Sequence, residues 1–585
     1  MNYGLIFMRR IICCKIPVIF RFRQMWVKGF AVNSFNRLST LSRSRQIIVG
    51  ILLFLAFLYF FSSRLPSLSR SIPTDELCVE DNLRFLSGEL NKYDAFINHN
   101  PKKPNEKFYP AYVGNGKVAV SLTSQKGLFI RLNRALSLPV KYYPLVSVNI
   151  EGYSTSDATV LNIHHGIAEK VQCFEIVSWR SNCLMVESQV YASRTRPSLL
   201  VQDIKIRNPS VCIHLPQSIN SIMTVLNIGT LLLQKLMYLY YFYDLFCRTV
   251  RFHVVTVVNY TQPVSLKTPA PTNLLSDVEQ VQSNIVNNKL WTSGFGISDS
   301  KAAGALNGDK INSTIYYVLS NTYAPLHELD TSLEDKTRIQ RTLYYPDRCY
   351  GGHTLFYSET LWSEIKDEAD IADVTSTWMI TLEKKGCSIM VRAGAEGVLQ
   401  AILLSLGGLR FDDNHLEMSM EPKDLHRDLL FHRLNYGNNT HVNISVIVQN
   451  DNKAVIFVSL DRNDRPYYAC DAGCIDPPIA LSKETVQFPV KRTDPLTSIL
   501  YITADKQHME ELKHTIHVKE IKEAPAHEHH VIALHKHGHH FGGLPTIFWV
   551  SIAFLIIIFH LFLCKLIYNE YCQGQDRYGR TRYTV

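Results

Sequence analysis

Five acidic residues lie close together in the middle of the chain, and a pair of carboxyl groups is what hydrolysis of a glycosidic bond requires. They are Glu359, Glu364, Asp367, Glu368 and Asp370. In that reaction one carboxyl group acts as an acid and a second acts as a base or a nucleophile. Glu364 and Asp367 are the candidate catalytic residues. Because Lys366 stands between them on a predicted exposed helix, we favour a solvated helix face over a catalytic pair.

Seven histidines stand just before the C-terminal apolar run, and closely spaced histidines can bind zinc or copper or gain charge as the pH falls toward about 6. They are His527, His529, His530, His535, His537, His539 and His540. Neither a cysteine nor a fixed ligand spacing accompanies them. We therefore favour a flexible polar linker over residues 524–543, and we expect neither a metal nor a cofactor.

The cysteines favour disulfide bonding. Nine of the 13 cysteines lie between the two terminal apolar runs, which fits an oxidising compartment. Cys470 and Cys474 could close a tight loop, since a zinc site would need a second pair nearby. Cys173 and Cys183 could bridge neighbouring strands, and Cys349 and Cys387 are further candidates.

Apolar runs at both ends indicate a membrane protein. Residues 544–564 contain no fixed charge and match the thickness of a bilayer, so they predict a transmembrane helix followed by a cytosolic tail, 565–585. The run 47–61 has the length of a signal peptide or a short signal anchor, and cleavage stays open. The segment 1–46 is rich in Lys and Arg and should face the cytosol.

Four N-glycosylation sequons lie between the apolar runs, at Asn259, Asn312, Asn438 and Asn443. We therefore expect a glycoprotein of the secretory pathway, in the endoplasmic reticulum, the Golgi or the cell surface, with its body lumenal or extracellular. The formal net charge is +9, and the 11 Lys and Arg residues before Asp75 more than account for it. No nucleic-acid partner is implied.

Alternating apolar and polar residues predict a mainly β body. We expect two antiparallel β-sandwich domains, at 75–323 and 385–523, joined by a short helical connector at 324–384. Strands are expected to include Ile315–Leu319 at the end of the first domain and Lys385–Met390 at the start of the second. Glu396–Leu406 reads as an apolar helix or a long buried strand.

The stretch Val211–Arg251 interrupts the strand pattern with a long apolar run that includes Gln234, Lys235 and Asp244. Polar residues inside lipid are costly, so a membrane span here is disfavoured. We favour an insertion or a gene-model artefact.

Several segments resemble one family of uncharacterised animal proteins, single-pass type I membrane proteins defined by a domain of unknown function. They are Tyr345–Cys349, Leu399–Phe411, Tyr468–Cys474, the membrane segment and Lys565–Cys572. The resemblance implies a lumenal glycoprotein with a short cytosolic tail and no established activity. The chain departs from the family at Val211–Arg251.

A second resemblance concerns fold. Val113–Val120 and the strands through Arg207 are similar to the N-terminal sandwich of glycoside hydrolase family sixty-five, and Gly408–Pro422 with Leu429–Tyr436 looks like its C-terminal sandwich. Those enzymes carry a helical toroid between the two, for which 324–384 is too short. The resemblance implies the flanking scaffold without the catalytic body.

The expected function is therefore non-catalytic binding of a glycan or a protein partner by a membrane-anchored glycoprotein. Two alternatives stay open: a carbohydrate-active hydrolase that uses acids from loops, and a trafficking or assembly subunit of the secretory pathway. Apart from such a ligand, the expected partner is the lipid bilayer.

Overall fold

The computed structural model describes most of the chain between residues 74 and 568. The described residues are 74–104, 106–124, 126–148, 155–175, 183–207, 224–228, 231–238, 250–260, 291, 293–344, 348–462, 465–538 and 546–568. The predictions for 1–46, for 47–61 and for all but the first residues of the tail lie outside them. Pro73–Gly543 form one compact unit, and the C-terminal helix belongs to another.

Two antiparallel sheets precede the main group of helices. Their strands are β1 (Ala95–Asn100), β2 (Tyr112–Gly114), β3 (Val118–Ser121), β4 (Leu128–Leu132), β5 (Ala135–Val140), β6 (Thr155–Asn162), β7 (Ile167–Glu175), β8 (Cys183–Ala192), β9 (Leu199–Arg207), β10 (Thr224–Ile228), β11 (Leu231–Tyr238) and β12 (Val250–Tyr260). The larger sheet has the order β1-β6-β7-β8-β9-β12-β11-β10, and the smaller is β2-β3-β4-β5.

The inner faces of these two sheets share one core. Val118 and Leu128 of the smaller sheet are buried in a cluster with Val190, Leu200 and Val258 of the larger sheet. The alternation that predicts β9 is confirmed, because Ile204 and Ile206 are buried while Lys205 between them is partly exposed. Within the stretch predicted to be an insertion, the backbones of β10 and β11 extend the larger sheet by antiparallel pairing onto β12.

The α-helices number ten within the described residues. They are α1 (Thr74–Leu83), α2 (Ser87–Leu90), α3 (Gly308–Ser320), α4 (Leu333–Tyr344), α5 (Glu368–Leu382), α6 (Ser388–Arg392), α7 (Ala395–Gly407), α8 (Lys506–Thr515), α9 (His529–His537) and α10 (Thr546–Tyr568). Helices α3 to α7 therefore form a helical region from Gly308 to Gly407. This region begins before the predicted connector 324–384 and ends after it.

Two predicted strands are wrong. Ile315–Leu319 lies within α3, where Ile311, Ile315 and Leu319 recur at helical spacing and are buried. Lys385–Met390 forms a tight turn that leads into α6, and Gly386 in that turn has a φ of 91°. The Glu396–Leu406 segment is helix α7, whose residues from Gly397 to Gly407 are all buried.

Three further sheets contain the remaining strands. These are β13 (Gly294–Ile297), β14 (Leu409–Asp412), β15 (His415–Met418), β16 (Leu429–Tyr436), β17 (Thr440–Val448), β18 (Ala454–Arg462), β19 (Tyr467–Asp471), β20 (Ile479–Leu481), β21 (Val486–Pro489), β22 (Lys491–Asp494), β23 (Leu500–Thr503) and β24 (Glu520–Glu523). The sheet orders are β13-β16-β17-β18-β21, β14-β15-β23-β19-β20 and β22-β24. Because β13 pairs with β16, Gly294–Ile297 belong to a C-terminal sheet, although they precede the predicted end of the first domain at residue 323.

Three disulfides join described residues of the body. Cys470 is bonded to Cys474, and Cys349 is bonded to Cys387. The predicted bridge between Cys173 and Cys183 is wrong, because Cys173 is bonded to Cys78. The physical reason is the face of β7 on which Cys173 lies: that face is covered by α1, whose Val79 and Leu83 are buried against the same cluster.

Helix α10 contains a 20-residue stretch, Phe548–Ile567, that is long and apolar enough to cross a membrane. Among the described residues it is the one helix with this property, and it overlaps the predicted segment 544–564.

Candidate functional site

The predicted catalytic carboxylates do not form a pair. The Glu364 side chain is 77% exposed and contacts Lys366 at 3.2 Å. Asp367 caps α5, where its Oδ1 accepts the backbone N–H groups of Ala369 and Asp370 at 2.9 and 3.1 Å. The N–H of Asp370, followed by the Lys126 ammonium, holds the pKa of Asp367 below its usual value. An ionised carboxylate cannot serve as the catalytic acid, and Asp367 has a structural role as the cap of α5.

Within the described residues, part of the histidine tract is a packed helix where a flexible polar linker was expected. His529–His537 form α9, whose Ile532 and Ala533 are buried. The ring of His535 stacks on His426 with centroids 4.6 Å apart, and its Nδ1 lies 2.7 Å from Ser300 Oγ. The described residues contain no group of three or more potential ligands arranged for a metal. The positions of His539 and His540 lie outside the described residues.

The sequons lie in different surroundings. Asn438 is exposed in the turn between β16 and β17. Asn312 is partly buried on α3, where its Nδ2 donates to the carbonyl oxygen of Tyr93 at 3.3 Å. Asn443 lies on β17 and accepts the Arg433 N–H at 2.8 Å. The side chain of Asn259 lies outside the described part, although its backbone belongs to β12.

An open cleft of about 520 Å³ is the best candidate site. It is lined by Phe411, Asp412, Asn414, His415, Tyr436, Arg465, Pro466, Tyr468, Thr503, Ala504, Asp505 and Lys506. Sequence reasoning did not single it out, because the residues come from four separate segments of the chain. The pairing of β15 and β19 on either side of β23 brings three of these segments together at one end of a sheet.

Local structure fixes the walls of the cleft. The β14–β15 hairpin turns at Asp413 and Asn414, whose φ values are 42° and 65°. Asn and Asp tolerate this left-handed region better than most residues. The Tyr436 hydroxyl donates to the carbonyl oxygen of Asn414 at 3.2 Å, and the Thr503 hydroxyl donates to the same oxygen at 2.8 Å. The turn is therefore held from both sides.

His415 lines the cleft and is paired with His508 of α8 behind it. His415 Nδ1 lies 3.1 Å from His508 Nε2, and the His415 ring is nearly buried, with its centroid 5.6 Å from that of Tyr501. Burial lowers the pKa of His415, and His508 acts in the same direction. At neutral pH His415 is uncharged, so one ring donates and the other accepts.

Two carboxylates and two basic side chains line the cleft. Asp412 contacts Arg410 at 2.9 Å, and Asp505 caps α8 by accepting the N–H groups of Gln507 and His508. Lys506 and Arg465 add exposed positive charge at the rim. Tyr468, which is partly exposed, supplies an aromatic surface beside them. The arrangement can hold a polar ligand by hydrogen bonds and stacking.

A second cleft of about 430 Å³ lies beside β1, β6 and β7. Many of its polar groups already bind one another. Asn100 Nδ2 donates to Asp157 Oδ1 at 2.8 Å, Lys170 contacts the same carboxylate at 3.2 Å, and His99 lies 3.0 Å from Glu106. It is the weaker candidate for this reason.

Comparisons with known proteins identify relatives without an established activity. The family described as "Uncharacterized conserved protein (DUF2152)" matches residues 27–225 and 270–584. The unmatched residues 226–269 overlap the second half of the predicted insertion. The chain is 30% identical over 519 residues to "Uncharacterized protein KIAA2013 homolog" of Xenopus laevis, covering 79% of this chain and 83% of that protein.

The protein of the same description from Xenopus tropicalis is 29% identical over 612 residues, with 94% of this chain and 97% of that protein covered. Among solved structures, "Putative kojibiose phosphorylase from human microbiome" is similar at a TM-score of 0.20 and 13% identity, covering 48% of this chain and 46% of that one. A likeness of this size carries no argument about fold or function.

Proposed function

We propose that this chain, which belongs to the DUF2152 family of uncharacterised conserved proteins, is a membrane-anchored glycoprotein that binds a glycan in the cleft beside Tyr468. In this proposal α10 spans the bilayer, the body formed by Pro73–Gly543 lies on the lumenal or extracellular side, and the tail is cytosolic. The type I arrangement places the sequons and the disulfides in the same compartment.

The membrane part of the proposal is supported by α10 and by the disulfides. A 20-residue apolar helix matches the hydrocarbon thickness of a bilayer. Three disulfides within the body fit an oxidising compartment, because thiols are kept reduced in the cytosol. Asn438 in an exposed turn offers room for a glycan.

The single observation that carries the binding part is the composition of the open cleft. A partly exposed tyrosine can stack on the apolar face of a sugar ring, while charged groups beside it can bind hydroxyl groups. The cleft combines Tyr468 with Arg465, Lys506 and Asn414. Phe411 and Tyr436 of the lining are almost fully buried, so Tyr468 is the tyrosine that a ligand in the cleft can reach.

A hydrolase is less well supported by this geometry. Glycoside hydrolysis needs one carboxyl group that holds a proton and a second that is free to act as a base or nucleophile. The carboxylates that line the cleft, Asp412 and Asp505, already accept charged or backbone donors of the same chain. Glu364 faces solvent.

A glycan array probed with the full-length protein in detergent micelles tests the proposal. We expect binding to one class of glycan and none to unrelated classes. No binding to any class would refute the glycan proposal and leave a protein partner as the remaining ligand. Digestion of the cellular protein with an N-glycosidase, together with protease treatment of intact microsomes, tests the orientation separately.

A further inference from the structure

The apolar helix α10 carries a histidine close to its middle. Phe548–Ile567 is the stretch able to cross a membrane, and His560 lies about 4 Å along the axis from its midpoint. A hydrocarbon core is roughly 30 Å thick. In the membrane-anchored arrangement proposed above, on which this inference rests, the imidazole lies well inside the hydrocarbon. Its side chain is too short to reach water.

A hydrogen bond within the helix defines the tautomer of His560. Its Nδ1 lies 2.7 Å from the carbonyl oxygen of Ile556, one turn earlier. A carbonyl oxygen can only accept, so Nδ1 carries the proton and Nε2 of the neutral ring is an acceptor. Within the described part of the chain no group bonds to Nε2, and the His560 side chain is exposed. An acceptor without a donor is costly in hydrocarbon.

The surface around His560 suits close packing of a second helix. At 3.6 residues per turn, Ala553 and Cys564 lie on the same face as His560, one on each side along the axis. Small residues beside a polar residue are typical of interfaces between transmembrane helices, because they allow the backbones to approach. Ser551 lies on the opposite face.

We propose that His560 is the contact point for a transmembrane helix of a different protein, which donates a hydrogen bond from a hydroxyl or amide group to Nε2. A second copy of this chain does not meet the requirement. Copies of one chain insert in the same orientation, so a symmetric pair sets residues of equal depth against each other. Two His560 rings, each with Nδ1 bonded to its own Ile556 carbonyl oxygen, would then present two acceptors. The Cys564 thiol on the same face is only a weak donor, and Ser551 lies about 13 Å away along the axis.

Photo-crosslinking in cell membranes tests this proposal. A photoreactive amino acid is placed at Ala553, on the His560 face, or at Ile558, on the opposite face of the full-length chain. We expect a discrete adduct with a different membrane protein from position 553 and none from position 558. His560→Leu should reduce the adduct about threefold or more, and His560→Gln, whose amide oxygen accepts a hydrogen bond, should restore it.

Four results would overturn the inference: an adduct that His560→Leu leaves unchanged, equal adducts from both positions, an adduct made of two copies of this chain, or no adduct at all. Two differently tagged copies expressed together identify a homodimer. Alkaline extraction of the same membranes distinguishes failure of the partner-helix inference from failure of the anchoring proposal. A chain released by alkali refutes membrane anchoring itself, whereas a retained chain without a His560-dependent adduct refutes only the partner helix.

Discussion

The imidazole of His535 stacks on that of His426 with an angle of 21° between the ring planes. This contact joins α9, just before the apolar helix, to the loop that precedes β16. A third segment also contacts α9, because the N–H of Lys301, between β13 and α3, donates to the His535 carbonyl oxygen at 2.8 Å. Burial lowers the pKa of both rings, so at neutral pH the junction is formed by two uncharged imidazoles.

Acidification should weaken this junction. Burial, with His426 and Arg427 adding to it, lowers the pKa of His535 to about 4, whereas an unfolded histidine titrates near 6.5. The unfolded chain therefore binds the proton first, so stability is full above about pH 6.5 and falls as the pH drops toward 4. We expect a loss of roughly 1 kcal/mol between pH 7 and pH 5, allowing for partial solvent screening.

Thermal unfolding of the full-length protein between pH 7 and pH 5 measures this loss. His535→Gln should make the melting temperature less dependent on pH, while the control His514→Gln, an exposed residue on α8, should leave the dependence unchanged. The same slope in His535→Gln as in the parent protein would contradict the assignment.

Glu169 should destabilise the body at alkaline pH. It is buried on β7, and burial followed by the neighbouring Glu187 raises its pKa to about 7. An unfolded glutamate titrates near 4.5, so between about pH 4.5 and 7 the folded state keeps a proton that the unfolded state has released. The free energy of unfolding therefore falls as the pH rises through 7. Glu169→Gln should stabilise the protein by about 1 to 3 kcal/mol at pH 8 and by much less at pH 5.

Denaturant unfolding at these two pH values measures the difference. The exposed Glu334 on α4 provides the control, because Glu334→Gln removes a carboxylate without changing a buried site. A Glu169→Gln protein that is less stable than the parent at pH 8 would show that the carboxyl group has an unrecognised favourable partner.

The Cys78–Cys173 disulfide should contribute strongly to stability. It closes a loop over a sequence separation of 95 and fastens α1 to the larger sheet. Cross-links over loops of this length contribute about 2 to 5 kcal/mol. Cys78→Ser combined with Cys173→Ser should lower the melting temperature by several degrees. Peptide mapping of the unreduced protein should recover the Cys78–Cys173 pair; recovery of a Cys173–Cys183 pair instead would be inconsistent with the structure.

Glycosylation should differ between two sequons. Asn438 lies exposed in a turn, so the folded body can accommodate a glycan there. At Asn312 a glycan would displace the hydrogen bond to Tyr93, and Thr314 of that sequon is 1% exposed within α3. Asn438→Gln should therefore increase the electrophoretic mobility of the cellular protein, and Asn312→Gln should not. A mobility change from Asn312→Gln alone would reverse this assignment.

Removal of the Tyr468 ring should weaken ligand binding. Tyr468→Ala deletes the partly exposed ring of the cleft, and stacked aromatic contacts are worth about 0.5 to 1.5 kcal/mol beyond buried area. We expect affinity for an array-identified glycan to fall about tenfold, as measured by titration calorimetry. Tyr357→Ala, at a 63% exposed tyrosine outside the cleft, serves as the control. Equal losses in both variants would show that the effect is not local.

Features that depend on residues close together in the chain could be predicted from the sequence. The β-rich composition, the apolar C-terminal helix and the Cys470–Cys474 bridge all depend on residues close together in the chain. Helix α3 was missed because Ile315, Tyr316 and Val318 favour strands by propensity. In the structure all of these are buried, so the helix shows little contrast between an apolar and a polar face.

The cleft could not be predicted for a different reason. Asp412, Tyr436, Tyr468 and Lys506 become neighbours only after the C-terminal sheets have formed. No short motif joins them. The turn residues Asp413 and Asn414 were the one local signal, and they indicate a hairpin rather than a binding site. The pairing of Cys173 with Cys78 likewise depends on which face of β7 is covered, which alternation alone does not specify.

The pairing of β13 with β16 has a consequence for synthesis on the ribosome. Ile297 emerges first, and its partner Leu429 follows 132 residues later. At about 5 to 20 residues per second, this delay is roughly 7 to 26 s. During that interval Gly294–Ile297 has no partner strand. A nascent chain halted between these two positions should therefore bind chaperones that recognise exposed strands, and release should follow once Leu429–Tyr436 has emerged.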